Sequence, residues 1–272
     1  MSGLDAVGPI VLVGAGNMGA ALLEGWLRAG LDGANVTVVD PGLSDERAAE
    51  WRGQGVRVEA AAVSAPQAPD LLFLAVKPQI MDAVLGEVRP LVGAGTVVAS
   101  VAAGVTLVRL REGLGETARC VRVMPNTPAQ VGRGASVCCA TPDVDESRRT
   151  ALSTLLQTVG TVEWIADEAL MDAVTAVSGS GPAYVFRMTE ALAEAGTKAG
   201  LPADLAARLA LATVGGAGEL MHRSDEPPAS LRRSVTSPGG TTEAALAVLE
   251  AELPDLMARA VDAAARRSRE LR

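Results

Sequence analysis

The six residues Gly14-Ala15-Gly16-Asn17-Met18-Gly19 stand between the apolar run Ile10–Val13 and an Ala/Leu-rich stretch. Three glycines at this spacing, between a strand and a helix, suit the seating of a pyrophosphate. Gly14 permits a sharp turn, Gly16 lets the backbone approach a phosphate, and Gly19 lets helix and strand press together. The helix N-terminus adds unpaired N–H groups and the positive end of its dipole. Asp40 ends the next apolar run, Val36–Val39. A carboxylate there can accept hydrogen bonds from an adenosine ribose 2′-OH and so favours NAD(H), whereas a nearby arginine favours a 2′-phosphate. No basic residue follows until Arg47. The Asp40-Pro41-Gly42 tripeptide is also a sequence that makes a plain turn.

Four further segments carry polar groups at places where chemistry is done. Ala75-Val76-Lys77-Pro78-Gln79 closes the most apolar run, and Met124-Pro125-Asn126-Thr127-Pro128 closes another. In an open α/β sheet both would face the crevice beyond the carboxyl ends of the strands, though each also reads as an exit turn. Ser178-Gly179-Ser180-Gly181-Pro182 and Ser237-Pro238-Gly239-Gly240-Thr241-Thr242 each lead into a helical stretch. Their hydroxyls and free N–H groups form a receptor for a small carboxylate, or simply cap a helix. Neither loop contains His, Lys, Asp or Glu. Oxidising an alcohol needs a positioned base. Reducing a C=N bond asks less, because an imine can arrive already protonated and its amine product keeps the proton. A hydroxyl that orients the nitrogen then suffices. The single histidine, His222, lies on no catalytic motif and reads as a surface or capping residue.

The elements that must position these groups fall into two textures. Short apolar runs at Pro9–Val13, Val36–Val39, Leu71–Val76, Thr96–Val101 and Arg119–Val123 alternate with helical segments such as Ala20–Ala29 and Ser44–Arg52. That alternation predicts βαβ units on a parallel sheet, with Ala135–Cys139 and Val162–Ile165 as late strands near an edge. After about Asp167 the strand-like runs cease. A helix is expected over Pro182–Ala199, another opening at Pro202 and broken at Ser224–Pro228, and two more at Thr241–Leu253 and Pro254–Leu271. The expected organisation is α/β, with a Rossmann-type doubly wound sheet over residues 1–165 and an all-helical domain over 166–272.

Composition removes several classes. Of 272 residues 49% are hydrophobic and 21% charged, as in ordinary globular proteins, and a net charge of −8 leaves no broad basic footprint for nucleic acid. Aromatic residues are 2%, so the core must be built from Ala, Val and Leu. Cys120, Cys138 and Cys139 follow no disulfide or metal spacing, and one histidine cannot assemble a His-rich metal site. The first residues lack a basic segment before their short apolar run, so no signal peptide is expected. No membrane span is expected either, and the expected location is the cytoplasm.

The motifs together resemble the pyrroline-5-carboxylate reductase family. The resemblance runs from the glycine loop through AVKPQ (75–79), SVAAGVT (100–106), MPNTP (124–128), DAVTAVSGSGPAY (172–184) and VTSPGGTT (235–242) to AVDAAARRSREL (260–271). It implies a helical domain that forms an intertwined dimer or larger homo-oligomer. It also implies hydride transfer from NAD(P)H to L-1-pyrroline-5-carboxylate, giving L-proline. By motif match, Thr242 would be the catalytic residue, bonding the ring nitrogen. The N–H groups around Gly240 and Thr241 would hold the carboxylate, with Ser178 and Ser237 in the same pocket. Ala103 would flank the nicotinamide, and Asn17, Met18, Ala75, Val76, Lys77 and Pro78 would line the rest of the cofactor beside Gly14, Gly16, Gly19 and Asp40. Two departures stand out. Ala60-Ala61-Ala62 occupies a stretch where many members carry an Asn that contacts the adenosine end, and Glu252-Leu253-Pro254 replaces a common Gly-Gly pair. Two other readings stay open at this point: a hydroxyacid dehydrogenase using Lys198, and a non-catalytic dinucleotide-binding protein.

Overall fold

The computed structural model describes residue 4 and residues 7–271; the remainder, including part of the N-terminal stretch read above for a leader, lies outside the described residues. The chain forms two compact units. One runs to Gly179 and takes in the residues from Ala265 onward; the other is Ser180–Ala264.

The first unit holds an eight-stranded sheet. Its strands are β1 (Ile10–Val13), β2 (Val36–Val39), β3 (Arg57–Glu59), β4 (Leu71–Leu74), β5 (Val97–Ser100), β6 (Arg119–Met124), β7 (Gly134–Ala140) and β8 (Gly160–Trp164). They lie in the order β3-β2-β1-β4-β5-β6-β7-β8. All neighbours are parallel except β6 and β7. The first six follow the order of a dinucleotide-binding sheet, and the expected late strands β7 and β8 occupy one edge.

The central strands are apolar throughout because both of their faces are covered. Along β1, Ile10 and Leu12 enter one core while Val11 and Val13 enter the other; along β4, Leu71 and Phe73 part from Leu72 and Leu74 in the same way. This is the two-residue period of a pleated strand. The register Leu12↔Val38 and Leu12↔Phe73 aligns the sets across three strands. Helices α1 (Asn17–Arg28), α2 (Asp45–Gly53) and α5 (Glu146–Gln157) cover the first face, giving it Trp26, Trp51 and Leu152. The second face receives Met81 and Leu85 from α3 (Met81–Val88) and Leu110 from α4 (Leu107–Leu114). Trp26 packs on Phe73 with ring centroids 5.0 Å apart. Ser44, Thr106 and Asp145 cap α2, α4 and α5 by accepting from the N–H three residues on.

The short α6 (Met171–Val174) continues into a wide turn of π-helical geometry, Thr175–Gly179. The second unit then contains α7 (Gly181–Lys198), α8 (Ala203–Arg223), α9 (Pro228–Ser234) and most of α10 (Thr241–Glu270). Between α7 and α8 the chain turns at Gly200, whose φ is +105°. Gly196 lets the two helices meet: a Cβ there would stand 3.3 Å from the Cβ of Ala206. Among the described residues no helix is long and apolar enough to cross a membrane.

One expectation is corrected. The C-terminal region is a single helix, α10, with Pro254 inside it, not two helices meeting at that proline. Proline removes one N–H and crowds the carbonyl four residues back, at a cost of about 3 kcal/mol. No glycine stands there to release the chain, and Ala/Leu-rich helix former continues on both sides, so the helix runs through.

Candidate active site

The glycine loop lies at the carboxyl ends of β1, β2 and β4. Gly14 has φ +92°, and a Cβ on it would stand 2.6 Å from the Ala75 carbonyl oxygen. Gly19 is pressed on the turn, where a Cβ would meet the Gly14 oxygen at 2.1 Å. Gly16 differs: its Cβ position faces open space. It is also the N-cap of α1 and carries no side-chain cap, which leaves the first amides of that helix to a ligand. The groove in front measures about 660 Å³. Gly14, Gly16, Asp40, Ala75, Val76 and Lys77 line it, so six of the expected cofactor residues come together here. A cradle of uncapped amides beside an apolar groove fits a dinucleotide.

Asn17 begins α1 and is exposed, whereas Met18 is half-buried and leans on the core beneath. Pro78 opens the single turn Pro78–Ile80 just beyond Lys77. Ala103 is exposed in the connection from β5 to α4. Beside Ala103, Gly104 has φ +79° and passes under the C-terminal end of α10, its Cβ position 2.9 Å from the Leu271 oxygen.

Asp40 is held by the loop it faces. One carboxylate oxygen accepts from Ala15 N–H at 2.6 Å, the other from Gly42 N–H at 2.8 Å. It therefore makes the turn and also presents its charge to the groove.

Ser178 lies in the wide turn after α6. Asn126 donates to both its carbonyl and its hydroxyl at 3.3 Å, and the other end of the Asn126 amide accepts from Ala135 N–H at 2.9 Å. Asn126 thus anchors that turn, a role that the MPNTP motif alone did not reveal. An ion pair between buried Arg122 and half-buried Glu168 supports the same region. Arg122 donates to Glu168 at 3.1 Å, and the same carboxylate oxygen accepts from Leu107 N–H at 2.9 Å, fixing the start of α4.

The other expected substrate residues, Ser237, Gly240, Thr241 and Thr242, belong to the second unit and form the entry to α10. Gly239 turns with φ +71°, Gly240 donates to the Ser237 carbonyl at 3.0 Å, and Thr241 and Thr242 begin the helix. Glu243, immediately after the motif, folds back to accept from Gly239 N–H at 2.7 Å. Its charge is spent on the loop, and its place as third helical residue is the signal that could have announced it. Lys198 and His222 are exposed, each in the last turn of its helix.

Residues 168–271 match the family model for pyrroline-5-carboxylate reductase dimerisation, and residues 9–104 match that for NADP oxidoreductase, coenzyme F420-dependent. A pyrroline-5-carboxylate reductase of Pseudomonas aeruginosa is 41% identical over 96% of both chains. The chain belongs to the pyrroline-5-carboxylate reductase family. A reductase of this family from Pisum sativum is 39% identical over 95% of this chain and 94% of its own. The solved pyrroline-5-carboxylate reductase of Coxiella burnetii superposes with a TM-score of 0.91 at 34% identity, covering 97% of this chain and 98% of that one. That of Plasmodium falciparum, solved with NADP bound, gives 0.81 at 30% identity over 97% of each. The fold, with its Rossmann sheet and helical C-terminal region, is that of this reductase family.

Proposed function

We propose that this chain is an NAD(P)H-dependent oxidoreductase that reduces the C=N bond of L-1-pyrroline-5-carboxylate to L-proline, the last step of proline biosynthesis. The observation that carries the reading is the entry to α10, a helix N-terminus rich in amides and hydroxyls whose one acid, Glu243, is turned away onto Gly239. Such a site binds a carboxylate and orients a nitrogen but offers no base for an alcohol, which speaks against a hydroxyacid dehydrogenase. When bound in the groove of the first unit, a reduced nicotinamide would supply the hydride. The uncapped amides of α1 would hold the pyrophosphate, with Ala75–Pro78 along the rest of the cofactor and Ala103 beside the ring. The amides of Gly240 and Thr241, with the hydroxyl of Ser237, hold the substrate carboxylate. Thr242 accepts the N–H of the protonated imine, fixing the face that the ring carbon presents. The nitrogen keeps its proton as the C=N bond becomes a C–N single bond.

The chain associates with itself through the second unit, as a homodimer or a larger assembly; the matched dimerisation model supports this. The cytoplasm is the proposed location, consistent with three free, buried cysteines. No nucleic-acid or membrane partner is proposed.

The test is reduction of pyrroline-5-carboxylate by the purified chain, with Thr242→Ala beside it. Losing a hydrogen bond to a charged partner is worth roughly 1.5–3 kcal/mol, which is about 10- to 150-fold in rate. Thr242→Ser should keep most activity, and Lys198→Ala and His222→Ala should stay within a few-fold. A normal Thr242→Ala enzyme with a dead Lys198→Ala would replace this mechanism by alcohol oxidation.

A further inference from the structure

The cofactor groove carries three charged side chains, Asp40, Lys77 and Glu87. Their positions across the sheet are unequal. Asp40 follows β2, where the adenosine ribose of a dinucleotide lies in sheets of this order. Lys77 follows β4, and β1 stands between them, so their strands are about 9–10 Å apart at roughly 4.8 Å per strand. Lys77 therefore belongs to the side of the glycine turn, not to the ribose. Beside Asp40 the groove wall is Pro41, Ala60 and Ala61, which carry no side-chain donor.

Two groups near the ribose end bear on a 2′-phosphate, and neither offers it a free cation. Ser44, the cap of α2, accepts the Arg47 N–H at 3.4 Å and carries no charge, and Asp45 and Glu46 follow it in the first turn of that helix. The Arg47 guanidinium donates to Glu24 of α1 at 2.5 Å and lies 5.2 Å over the ring of Trp51. Asp40 cannot swing aside without giving up two backbone bonds, to Ala15 and Gly42. From this arrangement we infer that the chain selects NADH over NADPH, with Asp40 rejecting the 2′-phosphate and Glu24 acting as a positioning residue that withholds Arg47.

This inference rests on the reductase reading for its cofactor class but adds a residue pair and a direction. It is argued from this chain's own residues; the Plasmodium falciparum relative was solved with NADP bound. The carboxylate favours NADH twice over: it accepts from a ribose hydroxyl and it repels a phosphate dianion that has no neutralising partner beside it.

The experiment is a fluorescence titration of the full-length chain with NADH and with NADPH, with no imine present. NADH should bind at least about tenfold more tightly. Asp40→Ser should narrow the ratio by about tenfold, and adding Glu24→Gln should move it a further two- to fivefold toward NADPH, the scale of an exposed ion pair. Equal or tighter binding of NADPH by the unaltered chain would overturn the inference whatever the variants do. So would an Asp40→Ser chain that loses affinity for both nucleotides at a constant ratio. Because no substrate is involved, an inactive chain that still prefers NADH would count against the reductase reading alone. Binding of neither nucleotide would sink both.

Discussion

The two units of this chain are built on opposite terms. The first encloses Trp26, Trp51, Phe73 and more than thirty Val, Leu and Ile side chains between its sheet and the helices on either face. The second, Ser180–Ala264, buries only Ala206 and Ala210 among its described residues. Phe186, Met188, Leu192, Leu209, Leu211, Leu220, Val248, Leu249 and Leu256 stand exposed on its helices. A large apolar side chain gains about 1.5–3 kcal/mol on full burial, and this unit leaves that gain uncollected. The contrast teaches that Ala-rich amphipathic helices can carry all the marks of a folded domain and still lack a core of their own. On the association proposed above, their apolar faces would be the surface through which chains meet.

The most severe way to break this contrast is to make the second unit's apolar face charged. Leu211→Arg combined with Val248→Arg should abolish association and nearly all activity, with sedimentation reading a species near the chain mass of 27.7 kDa. An unchanged, active oligomer would mean that chains meet elsewhere. Next in size, Trp26→Ala should cost about 3–5 kcal/mol in thermal or denaturant unfolding, independent of protein concentration. Leu192→Ala should by contrast lower the melting temperature by an amount that depends on concentration, as the proposed association would bury it between molecules. Two glycines sharpen the picture within the first unit. Gly19→Ala puts a methyl against the Gly14 oxygen and should weaken both folding and nucleotide binding. Gly16→Ala faces open space, so the melting temperature should hold while nucleotide affinity falls at least about tenfold. The smallest effect belongs to the cysteines. Burial pushes the thiols of Cys120 and Cys138 up to about 12 and raises that of Cys139. A thiol reagent at neutral pH should therefore label the native chain at none of the three and all of them after denaturation.

Legibility in the sequence followed the same division. The inner strands are readable because burial on both faces makes them continuous apolar runs, as in Ile10–Val13 and Leu71–Leu74. The three-residue β3, Arg57–Glu59, escaped notice because an edge strand carries charge and has no apolar run to display. The glycine loop could be read because Gly14 and Gly19 answer to local backbone demands, while Gly16 leaves the space before the α1 amides open. The wide turn at Thr175–Gly179 could not. It depends on Asn126 and on Met124, whose methyl sits where a Gly179 Cβ would be, both some fifty residues away in the chain. Glu168 was missed for a related reason, since its target amide on Leu107 is set by folding, whereas Glu243 carried a local signal in its place as third helical residue. Pro254 was overread, because a breaker's cost is local while the helix on both sides of it is collective.

The return of α10 to the first unit has a consequence for how the protein is made. Ser268 donates to the buried Asp172 at 2.8 Å, and Leu271 lies over Gly104. The nucleotide-binding unit is thus interrupted by the helical one and completed by residues made long after the rest of it. A nascent chain can form the sheet early, as N-terminal regions do, but it cannot close the loop around Gly104 until Ser268 and Leu271 have been synthesised. Ribosomes stalled before that point would carry a half that folds yet is unsealed, and a C-terminal truncation of a few residues would strike the cofactor end of the molecule and not its helical tail.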